Sequence, residues 1–143
     1  MKQEAAKGRL VVIEGLDGSG KATQAALLLD ELRERFAGEK KVLKISFPDY
    51  QNPSSTLVKL YLNGEIGSLD EVNPFAASSF YSLDRYISYQ TIWGEDYRNG
   101  AVVVADRYTT SNLSYQMVKC PREEWLDYIR WLSEFEYGNL GLP

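Results

Sequence analysis

Short unbroken apolar runs alternate along this chain with apolar residues spaced three or four apart. The runs read as strands: Leu10-Val11-Val12-Ile13, expected to be buried on both faces, then Lys41 to Phe47, ended by Pro48, then Ala101 to Ala105, ending at Asp106. The spaced residues read as helices. Ala22 to Phe36 places Ala25, Leu28, Leu29, Leu32 and Phe36 at helical spacing, with Gly38 as its stop. A short helix capped by Ser54 runs through Leu57, Leu60 and Tyr61 towards Gly64, and Glu65 to Val72 is a polar connection. Asn73-Pro74 starts the next helix, with Ala76, Phe80, Leu83 and Ile87 at helical spacing up to Trp93, and Gly94 and Gly100 punctuate the stretch between that helix and the third strand. Thr109 to Val118 reads as a helix opened by small polar caps. Pro121 begins a last helix with Trp125, Ile129, Leu132 and Phe135 on one face, and Gly138 to Pro143 leaves it. Strands alternating with helices imply an α/β chain with a parallel sheet and helices on both faces.

The turn between the first strand and first helix carries the chemistry. Gly15-Leu16-Asp17-Gly18-Ser19-Gly20-Lys21-Ala22 has the spacing G-x-x-x-x-G-K of a phosphate-binding loop (P-loop), between a strand and a helix as that motif requires. Glycines free successive backbone N–H groups to point into one concavity, and the helix adds the positive end of its dipole. Lys21 supplies a mobile charge for β- and γ-phosphates. The last position departs from the pattern: Ala22 stands where a Ser or Thr hydroxyl holds Mg²⁺, with Thr23 beside it.

Composition narrows the remaining chemistry. The 143 residues carry a net charge of −4 and no histidine, so His-based triads, bases and metal sites are excluded. The acidic balance disfavours a general nucleic-acid binder. Cys120 is the single cysteine, so no internal disulfide forms. The polar start, Met1 to Lys7, has no signal-peptide core, and no apolar run reaches membrane-spanning length. Together these features give an expectation of a cytoplasmic protein without a membrane partner. Phosphoryl transfer needs only carboxylates, Lys, Arg, backbone amides and a hard metal ion.

Asp106-Arg107-Tyr108 sits at the C-terminal end of the third strand, the edge where open α/β sheets bind ligands. Asp106 can hold Mg²⁺ there, directly or through water, and Arg107 can hold a second phosphate with its planar fork. Asp17 faces the phosphates from within the loop, which points to a sugar hydroxyl or Mg²⁺ as its partner. Tyr81 and Arg85 lie four residues apart on one helix and can stack on and hydrogen-bond a nucleobase. Taken alone, Asp84-Arg85 reads as a solvated charged face. Asn112 and Tyr115 follow the third strand.

Taken in order, these pieces resemble the thymidylate (dTMP) kinase family. The resemblance rests on Glu14 to Lys21 with Thr23-Gln24, Phe47-Pro48-Asp49-Tyr50, Tyr61 to Gly67, Asp84-Arg85, Asp106-Arg107-Tyr108 with Ser111-Asn112, and Gly141-Leu142-Pro143. It implies a three-layer P-loop NTPase fold of the nucleoside-monophosphate kinase type, transfer of the ATP γ-phosphoryl group to dTMP in dTTP biosynthesis, Mg²⁺ with ATP, and a homodimer packed through helices. Position by position, it implies that Gly15, Asp17, Gly18, Ser19, Gly20, Lys21, Ala22 and Thr23 surround the ATP phosphates. Lys21, Arg107 and Asp106 become the catalytic set, with Asp17 and Asp106 near the metal. Arg107 grips the dTMP phosphate, Asp17 meets the deoxyribose 3′-hydroxyl, Tyr81 stacks on thymine and Arg85 reaches a base carbonyl. Phe47, Tyr50, Asn112 and Tyr115 line the nucleoside pocket. The dimer face would come from Trp125, Ile129 and Trp131, which core packing explains equally well. Alternatives are a nucleotide-binding module without catalysis, which Ala22 favours, and a kinase for dUMP or a nucleoside.

The family continues past Gly-Leu-Pro into a further strand, an arginine-bearing lid and an adenine-side loop. Residues 1–143 are therefore expected to be the N-terminal part of a single kinase domain, truncated after the third strand and its helices. In the family's sheet order the P-loop strand lies between the third strand and the fourth, so Leu10 to Ile13 is expected to form an exposed apolar edge. The alternative is a short homologue that pairs this edge with another subunit.

Overall fold

The computed structural model describes residues 7–143; apart from Lys7, the polar N-terminal stretch lies outside the described residues. Three parallel strands form one sheet: β1 (Arg9–Ile13), β2 (Val42–Ser46) and β3 (Val102–Asp106), in the order β1-β3-β2. β3 is central, and Val103 and Val104 are fully buried. Each stabilises the fold by about 1.5–3 kcal/mol relative to exposure. Arg9 pairs with Val102 and Ile13 with Asp106, so the ends of β1 and β3 come level. That register delivers the P-loop and Asp106 to the same edge of the sheet.

β1 has β3 on one side only, and Val12 is exposed. The expectation of an apolar edge is met, whereas burial on both faces is not, because an edge strand lacks a neighbour on its outer side.

α1 (Lys21–Arg35) packs against β2 and β3, with Ala25 and Leu29 buried. On the sheet's other side, Ile45, Val103 and Ala105 meet Tyr89, Trp93 and Tyr97 in the main core. Strand alternation turns Val102 and Val104 towards the α1 layer. Leu142, near the C-terminus, closes the core.

α2 (Thr56–Leu62) follows a 3₁₀ turn, Pro53–Ser55. Ser54 does not cap it: the Ser54 hydroxyl donates instead to Asp84, 2.6 Å away. α3 (Pro74–Ser88) starts at Asn73, whose side chain accepts from Phe75 N and Ala76 N, as its sequence implies. The buried side of α3 overturns the expected one. Ala77, Ser78, Ser82, Asp84, Arg85 and Ser88 are buried, while Ile87 is exposed and Ala76, Phe80 and Leu83 are only partly covered.

Gly94 does not end this helix. α3 runs through a π-helical turn, Tyr89–Trp93, into α4 (Gly94–Arg98). The wider turn brings the Tyr89 carbonyl within 2.3 Å of where a Cβ on residue 94 would sit, so only glycine fits. Tyr89, Trp93 and Tyr97, four apart, then supply the aromatic core, with the first two ring centroids 4.7 Å apart.

α5 (Thr109–Met117) begins without a side-chain cap of its own. Glu14, just before the P-loop, takes that role, accepting from Tyr108 N at 3.0 Å and from the Ser111 backbone and hydroxyl. α6 (Trp125–Ser133) ends in a second π-helical turn, Glu134–Asn139, which buries Glu136. Trp131 packs against Phe75 and Phe135, so that aromatic group is covered at least partly within the chain. Among the described residues no helix is long and apolar enough to cross a membrane.

Candidate active site

The P-loop crosses the C-terminal end of β1 and enters α1. Gly18 and Gly20 have φ of 76° and 86°, the left-handed region that glycine adopts without steric cost. The Ser19 hydroxyl donates to Leu16 O at 2.6 Å and tightens the loop. No side chain caps α1, so its first N–H groups have no side-chain partner and face the loop. An uncapped N-terminus entered through glycines is an anion site.

Two ion pairs stand at this end. Lys21 Nζ contacts Asp106 Oδ1, their side chains 11% and 15% exposed. Arg107 donates to Asp17 Oδ1 at 2.6 Å, although the Asp17 side chain is 94% exposed. Arg107 has φ of 66°, unusual for a non-glycine residue, and its N–H donates to Ile13 O at 3.0 Å. That backbone costs roughly 1 kcal/mol and aims the side chain back over the loop.

Beside Arg107 opens a cavity of about 440 Å³ between the loop after β2, α2, α3 and α5. Asp17, Phe47, Tyr50, Tyr81, Arg85, Arg107, Asn112 and Tyr115 all line it, which are the eight positions assigned to a nucleotide by resemblance. The P-loop residues and Asp106 adjoin it through Asp17 and Arg107. Tyr61 and Tyr81 meet edge to face at 6.2 Å, and burial pushes the Tyr81 phenol well above its ordinary value. Tyr81 therefore stays neutral, an aromatic wall with a donor at its tip.

Arg85 and Asp84 are each 1% exposed, which replaces the solvated face expected from sequence alone. Arg85 Nε donates to Glu136 Oε2 at 3.0 Å and its Nη2 to Glu136 Oε1. Glu136 also accepts from Ser82 at 2.6 Å and Thr109 at 2.8 Å, so its buried charge is fully partnered. Asp84 accepts from Ser54 and from Asp49 N, joining the loop after β2 to α3. Burial raises its carboxyl, partly offset by those two hydrogen bonds. Glu136 gives no sequence signal of its role, lying 51 positions from Arg85. Ser82 and Ser78, spaced with Arg85 at i−3 and i−7, were the available hint of a polar buried face.

Two residues that line the cavity carry a fully buried side-chain oxygen without a partner, Asn112 Oδ1 and Gln116 Oε1. Their amide nitrogens are engaged, Asn112 with Ser78 O at 3.3 Å and Gln116 with Tyr61 Oη at 3.2 Å. Sequence reading singled out Asn112 and passed over Gln116, four residues along the same helix.

For a metal, the donors are sparse. Among the described residues no three Asp, Glu, Cys or His gather in one place. Mg²⁺ commonly takes one or two protein carboxylates and completes its shell with phosphates and water. Asp106, half-buried at the strand end beside Lys21, fits such a partial site; Ala22 adds no ligand.

A glycine loop feeding an uncapped helix, a lysine and strand-end aspartate behind it, and a parallel sheet flanked by helices define an α/β fold of the P-loop type. A family model described as thymidylate kinase matches residues 13–128. The chain belongs to the thymidylate kinase family. It is 33% identical over 136 residues to a thymidylate kinase of Mycobacterium tuberculosis, covering 94% of this chain and 61% of that protein. It is 30% identical over 132 residues to one of Caenorhabditis elegans, covering 88% and 58%. A solved thymidylate kinase from Candida albicans aligns with a TM-score of 0.63 at 28% identity, over 90% of this chain and 56% of its own. The chain thus spans about three-fifths of the length of these relatives.

Proposed function

We propose that this chain is the nucleotide-binding core of an ATP-dependent dTMP kinase, which makes dTDP on the route to dTTP. The observation that carries the reading is that Asp17, Tyr81, Arg85 and Arg107 line one aromatic cavity of about 440 Å³ that adjoins the P-loop. Tyr81 offers a ring for a pyrimidine to stack on, and the remaining Arg85 donors suit a base carbonyl. The monophosphate would then extend towards Arg107, with Asp17 near the sugar hydroxyl.

The P-loop amides and Lys21 would bind the ATP phosphates at the other side of Arg107. A dTMP phosphate oxygen attacks the γ-phosphorus, and the bond to ADP breaks. The chain's own groups position the two nucleotides and neutralise charge, which is most of what this reaction asks. Lys21 exchanges Asp106 for phosphate, and Arg107 shares its fork between Asp17 and the monophosphate. Asp106, and Asp17 more distantly, would hold Mg²⁺ with ATP; the ion supplies charge neutralisation on the phosphates when bound. A homodimer packed through helices and a cytoplasmic setting belong to the same reading.

The test is an ADP-release assay with ATP, Mg²⁺ and a panel of dTMP, dUMP, dCMP and thymidine. Turnover with dTMP and no turnover with thymidine supports the kinase. Ala22 favours a second reading, a nucleotide-binding module, and dTMP binding without dTDP formation would establish that one instead.

A further inference from the structure

Glu14 lies directly after β1, yet its carboxylate serves the start of α5, 94 positions along the chain. Oε1 accepts from Tyr108 N at 3.0 Å and from Ser111 N at 3.3 Å, and Oε2 accepts from the Ser111 hydroxyl. These are the N–H groups that a helix's own capping residues ordinarily satisfy. A small polar side chain at position 108 would cap α5 from within. Capping alone therefore does not call for a carboxylate from the far strand.

What Glu14 adds is a hold on the backbone beside Arg107. Arg107 has a φ of 66°, and a non-glycine residue stays in that region only where its surroundings over-determine it. Its own N–H donates to Ile13 O at 3.0 Å, and the next one, of Tyr108, donates to Glu14. Two consecutive residues at the end of β1 thus grip two consecutive N–H groups on either side of the strained residue. The side chain so aimed reaches Asp17 at 2.6 Å and lines the cavity. We propose that Glu14 is a positioning residue, which clamps the backbone after Arg107 to β1 and so holds the guanidinium where a nucleoside monophosphate brings its phosphate. The proposal rests on the reading of this cavity as a nucleotide site. Glu14 touches no substrate in this scheme and acts through Arg107. The sign of its effect separates this role from a direct one. A carboxylate beside a phosphate site repels the phosphate, so by charge alone its removal tightens dTMP. Positioning predicts the reverse.

Calorimetric titration of dTMP and thymidine into the intact chain tests it, using wild type, Glu14→Ala, Glu14→Asp, Glu14→Gln, Arg107→Ala and the double variant Glu14→Ala with Arg107→Ala. Glu14→Ala weakens dTMP roughly fivefold, the scale of the backbone preference then released, and leaves thymidine unchanged. Glu14→Asp keeps the charge but withdraws it by one methylene, and weakens dTMP in the same direction. Glu14→Gln loses the charge but keeps an oxygen for the two backbone N–H groups, and retains the wild-type affinity. In the Arg107→Ala background, Glu14→Ala changes dTMP affinity by less than about twofold, because no guanidinium is left to position. Tighter dTMP binding by Glu14→Ala overturns the proposal. So do equal losses for dTMP and thymidine, which would mark Glu14 as a cap of α5 alone, and so does a loss that persists undiminished in the Arg107→Ala background. A wild-type preference for dTMP that every Glu14 variant keeps overturns this proposal alone. Wild type that binds dTMP no better than thymidine overturns the cavity reading and this proposal with it.

Discussion

At the phosphate end of the site, Asp17 meets Arg107 at 2.6 Å in front of an open glycine loop, and Lys21 meets Asp106 behind it. At the base end, Arg85 meets Glu136 inside the protein, with Ser82 and Thr109 completing the carboxylate's shell. Both ends use arginine–carboxylate pairs, but their surroundings give the pairs different work. Accessible pairs are worth little to stability and can exchange partners cheaply. A fully buried pair is costly to break, because each partner strands the other's charge. The open end is therefore suited to receiving phosphates, and the sealed end to holding a shape against which a flat base can be read.

The strongest way to break this contrast is Glu136→Ala. It strands Arg85 in the interior and should destabilise the fold by about 3–5 kcal/mol, read as a lower urea midpoint. A loss under about 1 kcal/mol would mean that the base end is as yielding as the phosphate end. Lys21→Ala probes the opposite region. It should lower phosphoryl transfer by roughly 10²–10³-fold, the scale of removing one charge-stabilising donor. Its melting temperature should fall less than that of Glu136→Ala, since the Asp106 side chain keeps 15% exposure whereas the Arg85–Glu136 pair is sealed. A large drop in melting temperature would place the Lys21–Asp106 pair with the structural contacts.

A smaller effect sharpens the contrast through pH. Burial holds the Asp84 carboxyl above its ordinary value of 3.8, so folding favours the protonated form. The associated stability is full below that ordinary value and is lost as pH rises through the raised one. Asp84→Asn, which mimics the protonated acid, should lose less stability than wild type when urea melts are compared at pH 4 and pH 7. Equal changes in the two proteins would show that the Ser54 and Asp49 hydrogen bonds cancel the cost of burial.

The same contrast explains what could be read from the sequence. The phosphate end is local: the P-loop spans eight consecutive positions, and Asp106-Arg107 closes a strand whose apolar run is unmistakable. Strand existence and the parallel sheet followed from those runs, whereas the exposed β1 edge followed from the sheet order of the resembled family and the runs alone implied a strand buried on both faces. The base end is assembled across the chain. Glu136 reaches Arg85 only because a π-helical turn ends α6, and no periodicity announces that turn. α3 misled for a related reason. Its apolar residues Phe80 and Leu83 are only partly covered and Ile87 is exposed, while Ser78, Ser82 and Arg85 turn inward towards partners on α5, α6 and the π-helical turn after it, so hydrophobic spacing marked the wrong side. Gly94 read as a stop because helix-interior glycine is unfavourable. Here it is required by the carbonyl of Tyr89. Gln116 went unnoticed since an amide on a short helix carries no signal until its unpaired oxygen is seen.

The central claim is that one cavity holds a pyrimidine nucleotide with its phosphate at Arg107. Parallel titrations of dTMP and thymidine into wild type and Arg107→Ala test it most directly. The account predicts that wild type binds dTMP far more tightly than thymidine, that Arg107→Ala weakens dTMP on the order of 10–100-fold as a charge-assisted bidentate contact is lost, and that thymidine affinity barely changes. Equal losses for the two ligands, or no preference for dTMP in wild type, would contradict it.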